Sequence, residues 1–244
     1  MSDKFCRLVF EDGRIVSYGP SALSINIEQI VQEDKKYGVF KPRNGKYFTF
    51  RVLDVNDKEI DDEFVNRAEL LSFQSYTKRF NFDVKKAKPG EYADFRTIFR
   101  TPENDERKEM TNGTIMYHFF PIADYNNPNR GLCVVNPKFW FTSHGESLPM
   151  YIMDPDHYTK EDTVSRGPTI DYDAVTRHER GHGFGLPHDP APNTTMSTPY
   201  PSIREFLDER TIFRMIKKYG LRKIQKMRDF TRFLKYIWHK SENY

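Results

Sequence analysis

Hydrophobic and polar residues alternate along the chain with two different periods. Ile60, Phe64, Ala68 and Leu71 recur at helical spacing, which predicts a helix capped at Asn56-Asp57 and ending near Phe80. Residues 47–55 alternate with period two, as a half-buried strand does. Four shorter apolar runs predict further strands, at 82–87, 95–100, 114–121 and 132–135. The first 135 residues are therefore predicted to hold several strands and one long helix.

The first 45 residues are predicted to form a separate N-terminal extension. Lys4–Phe10 and Arg14–Tyr18 flank Asp12-Gly13, a dipeptide that favours the tight turn of a β-hairpin. Ser21–Lys36 predicts a short helix, and Pro42–Gly45 predicts a turn before the next strand.

The last third of the chain predicts a long loop, over residues 142–168, followed by helices. One helix is expected to begin near Asp171 or Asp173, and another to span Leu207–Gly220. Residues 221–244 carry seven Lys and Arg against two acidic residues, with apolar residues every three or four positions. This basic amphipathic helix is interpreted as docked on the domain or bound to a protein partner. Membrane or nucleic acid is the less favoured interpretation.

Composition narrows the class of protein. Hydrophobic residues make up 37% and charged residues 30% of the 244, as in globular proteins with a polar surface, and the net charge of +3 does not by itself indicate nucleic acid. We find no apolar run of the length that spans a membrane and no signal-peptide pattern at the start. The two cysteines, Cys6 and Cys133, are expected to be thiols. A cytoplasmic or virion-associated location is therefore favoured over secretion by a signal peptide.

Residues 178–189 read His-Glu-Arg-Gly-His-Gly-Phe-Gly-Leu-Pro-His-Asp, a pattern with metal-ligand spacing. His178 and His182 are four residues apart, so on one helix both imidazoles lie on the same face. Gly185 allows the chain to turn sharply after the helix, and His188 can then return as a third ligand. Three nitrogen ligands leave one position of a tetrahedral zinc ion for water, which is the arrangement of a catalytic site. Glu179 is placed to act on that water as general base and then acid.

The pattern H-E-x-x-H-x-x-G-x-x-H resembles the zinc-binding motif of the metzincin proteases. Residues 46–220 resemble the matrixin branch of that family, through Thr114–Pro121, Phe139–Thr142 and Leu207–Gly220. The resemblance implies an α+β, zincin-like domain with a twisted mixed five-stranded sheet, an active-site helix and a C-terminal helix. It implies a zinc-dependent endopeptidase whose substrate is a protein or peptide bound as an extended strand.

Further site residues are implied by the same resemblance. Met196 lies eight residues after His188, where the family has the methionine turn beneath the metal. The edge strand that pairs with the substrate corresponds to Ile115, Met116, Tyr117 and His118. Pro199 and Tyr200 correspond to the wall of the S1′ pocket.

The chain also departs from the matrixin pattern. Arg180 occupies a position that is normally apolar, which leaves the local packing of the helix open. Residues that usually bind a structural zinc and calcium are replaced, so neither ion is expected; a second site of His118, Cys133, His144 and His157 is a minor alternative. Cys6 lacks the context of a latency cysteine. Arg210 and Thr211 replace the aspartates that receive the new N-terminus after activation, so a zymogen of the usual kind is not expected.

One alternative function stays open at this point. A protein of the same fold that binds zinc without turnover, as a structural, virion or assembly component, would keep the three histidines. The presence of Glu179 favours the enzyme.

Overall fold

The computed structural model describes residues 27–162, 169–191, 193–198 and 207–222, together with the backbone of residues 8–9 and 15–16. The strands within these residues are β1 (Leu8–Val9), β2 (Ile15–Val16), β3 (Phe48–Leu53), β4 (Val84–Lys86), β5 (Phe95–Phe99), β6 (Met116–His118), β7 (Leu132–Val135), β8 (Phe141–Ser143), β9 (Glu146–Ser147) and β10 (Ile170–Asp171). The α-helices are α1 (Ile27–Asp34), α2 (Glu63–Thr77), α3 (Met150–Met153), α4 (Tyr172–Gly183) and α5 (Glu209–Tyr219). A short 3-10 helix, Lys35–Tyr37, follows α1.

The main sheet has five strands in the order β4-β3-β5-β7-β6. The first four strands are parallel, and β6 pairs antiparallel with β7 at the edge, with Tyr117 opposite Val134. The predicted α+β class with a mixed five-stranded sheet is thus confirmed. A three-stranded sheet, β10-β8-β9, and the hairpin of β1 and β2 are not hydrogen-bonded to it, although β1 lies beside β6.

Helices α2 and α4 pack against each other, and α4 also packs against β6 and β7. Alternation along the strands directs one set of side chains toward these helices and the other set toward the opposite face. Phe95 and Met116 belong to the large core on the helix side, whereas Tyr117, Leu132 and Val134 belong to a smaller cluster on the other face. The sheet therefore supplies the support on which α4 rests.

Aromatic rings fill the core at the point where α4 ends. Phe184, directly after α4, is fully buried and its ring centroid lies 4.9 Å from that of Phe82 and 5.0 Å from that of Tyr76. Tyr219, at the end of α5, packs edge-on against the same ring. Aromatic rings in such tilted arrangements bury large apolar areas. The end of α4 is thereby fixed in the core.

Several predicted elements are confirmed, and two predictions were wrong. The cap of α2 is Asp62, whose side chain accepts a hydrogen bond from Val65 N at 2.9 Å. The predicted cap, Asn56-Asp57, instead lies in a turn in which Asp57 has a positive φ of 61°. The predicted long loop of residues 142–168 contains β9 and α3 and the end of β8. Among the described residues, no helix has both the length and the apolar character needed to cross a membrane.

Candidate metal centre

Helix α4 carries two of the three predicted metal ligands. It begins after Asp171, whose side chain accepts a hydrogen bond from Ala174 N at 3.1 Å and so caps the helix, as predicted. His178 and His182 follow one turn apart, both fully or almost fully buried. Their ring centroids are 4.8 Å apart. The helix thus brings the two imidazoles to the same point.

The third histidine returns on the loop that follows α4. Gly185 adopts a φ of 84°, a left-handed conformation that favours glycine. Two main-chain hydrogen bonds close the turn, from Gly185 N to His182 O at 2.7 Å and from Leu186 N to Gly181 O at 2.9 Å. The Nε2 atoms of the three histidines then lie 3.1, 3.2 and 3.2 Å from one another. The predicted triad is therefore brought together.

Hydrogen bonds at Nδ1 define which ring nitrogen is protonated in His178 and His182. His178 Nδ1–H donates to the carbonyl of Thr195 at 2.7 Å, and His182 Nδ1–H donates to the carbonyl of Leu186 at 2.7 Å. A carbonyl oxygen only accepts, so the proton is on Nδ1 and each Nε2 carries a lone pair. Burial lowers the pKa of His178 to about 4 and that of His182 and His188 well below the usual 6.5. Neutral imidazoles thus direct lone pairs toward one another.

This arrangement fits a metal ion. Four tetrahedral ligands at zinc–nitrogen distances of 2.0–2.1 Å would stand about 3.3 Å apart, close to the observed separations. A cation between the three nitrogens would replace the repulsion of converging lone pairs by coordination. Within the described part of the chain, the triad is the only group of three or more His, Cys, Asp or Glu side chains that converge in this way. The buried triad can therefore hold one metal ion.

The loop around Met196 supports the triad from below. Met196 is fully buried, and a Cβ atom added at Gly181 of α4 would overlap its sulfur and lie 2.9 Å from its Cε. Its carbonyl accepts from Asp189 N at 2.8 Å, and the preceding residue, Thr195, supplies the carbonyl bonded to His178. Met196 thus lies directly against the metal-binding helix, and its loop contacts both the helix and the segment after His188.

Arg180, between the two helix ligands, is fully buried in an ion pair with Glu69 of α2. Glu69 also accepts hydrogen bonds from the hydroxyls of Thr97 at 2.9 Å and Tyr172 at 3.0 Å. The guanidinium stacks over the ring of Phe73, 4.6 Å from its centroid. Arg180 is therefore accommodated by a buried ion pair that joins α4 to α2 and, through Thr97, to β5.

The segment predicted to bind substrate is described in part. Ile115 precedes β6, and Met116, Tyr117 and His118 form it, at the antiparallel edge of the sheet. All four side chains are buried. A peptide beside this strand would therefore meet its main chain, and not these side chains. Pro199 and Tyr200 lie outside the described residues.

His118 lies against helix α4. Its Nδ1–H donates to the carbonyl of Phe119 at 2.7 Å, and its Nε2 has no hydrogen-bond partner among the described residues. A Cβ atom added at Gly183 would lie 2.7 Å from that Nε2, so the glycine makes room for the ring. Burial lowers the pKa of His118 to about 4. His118 thus packs as a neutral side chain beneath the end of α4.

The other predicted candidates are dispersed. Cys133 lies opposite His118 across β6 and β7, whereas His144 is near Asp173 and His157 is hydrogen-bonded to Asp154 at 2.9 Å. These four residues form no common cluster. Cys6 lies outside the described residues, as do residues 223–244 of the predicted basic helix.

Sequence reasoning named Arg210 but missed the ion pairs that surround the loop of His188. Asp189 accepts two hydrogen bonds from Arg210 of α5, at 2.8 and 3.1 Å. Arg214, one turn later on α5, is buried between Asp34 and the same loop. The positive charge of Arg210 was the available signal, and nothing in the local sequence marks Asp34.

No protein-family model matches the chain, and the search of curated proteins finds no significant match.

Proposed function

We propose that the protein is a zinc-dependent endopeptidase with a matrixin-like metzincin fold. The observation that carries the proposal is the geometry of the triad, in which three Nε2 atoms converge at 3.1–3.2 Å. Three imidazole nitrogens are a common ligand set for zinc. In a tetrahedral site with three protein ligands, the fourth position stays open for water or substrate. The accompanying Glu179 supports a hydrolytic site over one that only binds metal.

The fold proposal has support from elements outside the motif. An antiparallel edge strand β6, the helix α4, the methionine loop and a C-terminal helix occur in the order that the resemblance implies. Met196 packs against Gly181, directly beneath the ligands, as the methionine turn of the family would. The zincin-like fold is the reading that accounts for all four.

The chemistry divides between the metal and the chain. A bound zinc ion supplies Lewis acidity, which polarises a scissile carbonyl and lowers the pKa of water. The carboxylate of Glu179 takes a proton from the attacking water and later transfers it to the leaving amine. The carbonyls of Thr195 and Leu186 hold His178 and His182 in the tautomer that leaves Nε2 for the metal.

We propose that the substrate is an extended peptide that adds to β6 as a further strand. Main-chain hydrogen bonds would align it, because the side chains of residues 115–118 are buried. Selectivity then depends on pockets beyond this strand, for which Pro199 and Tyr200 are the predicted wall.

The proposal is tested with the full-length protein by zinc analysis and a peptide-library cleavage assay. We compare wild type with Glu179→Gln and with Glu103→Gln, a change of an exposed acid that pairs with Lys138. Glu179→Gln is expected to keep zinc and lose about 10²–10⁴-fold in kcat/KM, the usual contribution of a general base. Glu103→Gln is expected to behave as wild type.

Two results would contradict the proposal. Wild-type protein that binds zinc and cleaves no library peptide would support the alternative, a catalytically silent zinc-binding structural or virion component. Cleavage that survives in Glu179→Gln at the wild-type rate would remove Glu179 from the mechanism.

A further inference from the structure

Residues 34–40, here named the N-terminal strap, lie against the loop that carries His188. The amide of Phe40 donates to the hydroxyl of Tyr219 at 3.0 Å, and that hydroxyl donates to the carbonyl of Phe184 at 3.0 Å. A Cβ atom added at Gly185 would lie 3.1 Å from the carbonyl oxygen of Gly38. The strap therefore follows the turn between α4 and His188 at close range.

An aromatic contact extends from the strap to a metal ligand. The ring of Tyr37 stacks on that of Phe120, with centroids 4.1 Å apart, and Phe120 lies 5.4 Å from the ring of His182. Phe120 is buried, and the strap covers it. The strap thus contacts the loop part of the centre directly and reaches the helical part through Phe120.

The strongest link is the buried ion pair between Asp34 and Arg214. Arg214 donates from Nη2 to Asp34 Oδ1 at 2.7 Å and from Nε to Oδ2 at 2.9 Å, and both residues are almost fully buried. The same Nη2 donates to the carbonyl of Pro187 at 2.7 Å. Nη1 lies 3.7 Å from Asp189 Oδ2. Arg214 therefore contacts the residues on both sides of His188.

Charge balance shows what Asp34 contributes. Two guanidinium groups, Arg210 and Arg214, face two carboxylates, Asp34 and Asp189, around this loop, and the ammonium of Lys218 adds a third cation by donating to the carbonyl of Asp34. Without the Asp34 carboxylate, a buried guanidinium would be left uncompensated, which proteins tolerate poorly. Arg214 would then compete with Arg210 for Asp189 and move away from Pro187. The excess positive charge would also oppose a divalent cation at the triad.

We propose that Asp34 is a positioning residue of the metal centre. Through Arg214, its carboxylate fixes the Pro187–Asp189 segment so that His188 stays in coordinating geometry. The strap is therefore a permanent part of the centre, and the active protein retains Asp34. This inference rests on the proposed binding of zinc by the triad.

The test measures zinc affinity in the full-length chain by competition with a chromophoric chelator. Asp34→Asn removes the charge and keeps the shape of the side chain. The matched control is Asp94→Asn, because Asp94 is equally buried, accepts from Arg43 N at 2.9 Å and Thr49 N at 3.0 Å, and lies 3.6 Å from Arg130. None of these partners belongs to the loop of His188.

Asp34→Asn is expected to weaken zinc binding about 10–100-fold, the usual effect of losing a partner that orients a ligand. Asp94→Asn is expected to lower the unfolding temperature of the metal-free protein and to leave zinc affinity unchanged. The absorption spectrum of the cobalt-substituted protein is expected to change in Asp34→Asn alone. Equal affinities in the two variants would overturn the proposal.

A second variant keeps the test decisive if Asp34→Asn does not fold. Arg214→Lys retains the charge but loses the planar fork that contacts Asp34 and Pro187 together, so a loss of zinc affinity is again expected. Wild-type affinity in Arg214→Lys would overturn the proposal, as would an active form whose N-terminal residue follows Phe40.

The failure of this inference can be distinguished from the failure of the proposed function. Wild-type protein that binds no zinc would contradict the proposed function itself, whereas zinc binding and cleavage that survive Asp34→Asn undiminished would contradict only this inference.

Discussion

The helical part and the loop part of the metal centre are positioned by different means. His178 and His182 derive their mutual geometry from one helix, which Asp171 caps and Glu69 anchors through Arg180. His188 derives its position from residues far away in the chain, since Asp34 lies 180 residues before Arg214. Helix geometry therefore fixes two ligands, whereas the third depends on the turn at Gly185 together with long-range charge pairing. We therefore expect substitutions near the helix to change the free energy of unfolding, and substitutions that disturb the orientation of a ligand to change metal affinity.

The largest expected effect concerns the anchoring of the helix. Arg180→Met leaves the Glu69 carboxylate buried without its cation, which costs about 3–5 kcal/mol of folding free energy. We expect this loss in urea unfolding of the metal-free protein, with unchanged zinc affinity of the folded fraction. In the double variant Arg180→Met/Glu69→Gln, where no buried charge is left over, most of the stability is expected to return. A variant Arg180→Met as stable as wild type would contradict the anchoring role.

The next effect is a dependence of stability on pH. Burial lowers the pKa of His118 to about 4, so between pH 6.5 and 4 the unfolded chain binds a proton that the folded chain does not. Stability is then lost as the pH falls, and His118 alone accounts for about 2 kcal/mol between pH 7 and pH 5. His118→Gln is expected to reduce the measured difference in unfolding free energy of the metal-free protein by that amount.

The control for this prediction is His157→Gln. The pKa of the exposed His157 is raised by its hydrogen bond with Asp154, so its contribution is present at low pH and is lost as the pH rises. Removing it cannot diminish the loss of stability toward pH 5. If both variants change the pH dependence in the same direction, the assignment to His118 is wrong.

The smallest effect tests the coupling of helix and loop. Gly181→Ala places a methyl group against Met196 and is expected to displace the adjacent carbonyl of Thr195 from His178. Zinc affinity should fall about tenfold, as when an orienting partner of a ligand is lost. Gly113→Ala, at a position with no atom within 4 Å of the added Cβ, is the control. Equal zinc affinity in the two variants would show that the methionine loop does not influence the helix ligands.

Distance along the chain explains what the sequence could predict. The start of α4, the three converging histidines and the strands β5 and β7 follow from spacing and periodicity within short windows. The hydrogen bond from Gly45 N to Pro42 O also agrees with the predicted turn. Such features depend on residues that are neighbours in the chain, so the amino-acid sequence alone is enough to predict them.

Features that depend on distant contacts escaped prediction. Aspartate is a residue type that often caps helices, so Asp57 was a reasonable candidate. The side chain of Asp54 instead accepts hydrogen bonds from Asn56 N and Lys58 N, and these bonds fold the segment into a turn. Strands β8 to β10 have only two or three residues, too few to show a period. The pairing of Asp34 with Arg214 depends on a fold that brings α1 beside α5. Hydrophobic periodicity carries no information about such a pair.

The buried Arg180 has a consequence for protein engineering. The twelve residues from His178 to Asp189 include a guanidinium whose counter-charge is on another helix, so a graft of this segment alone into a new scaffold would import an uncompensated cation. A designer would transplant α4 together with the Glu69 face of α2, or would first make position 180 apolar. The helical part of this site therefore transfers only as a pair of helices.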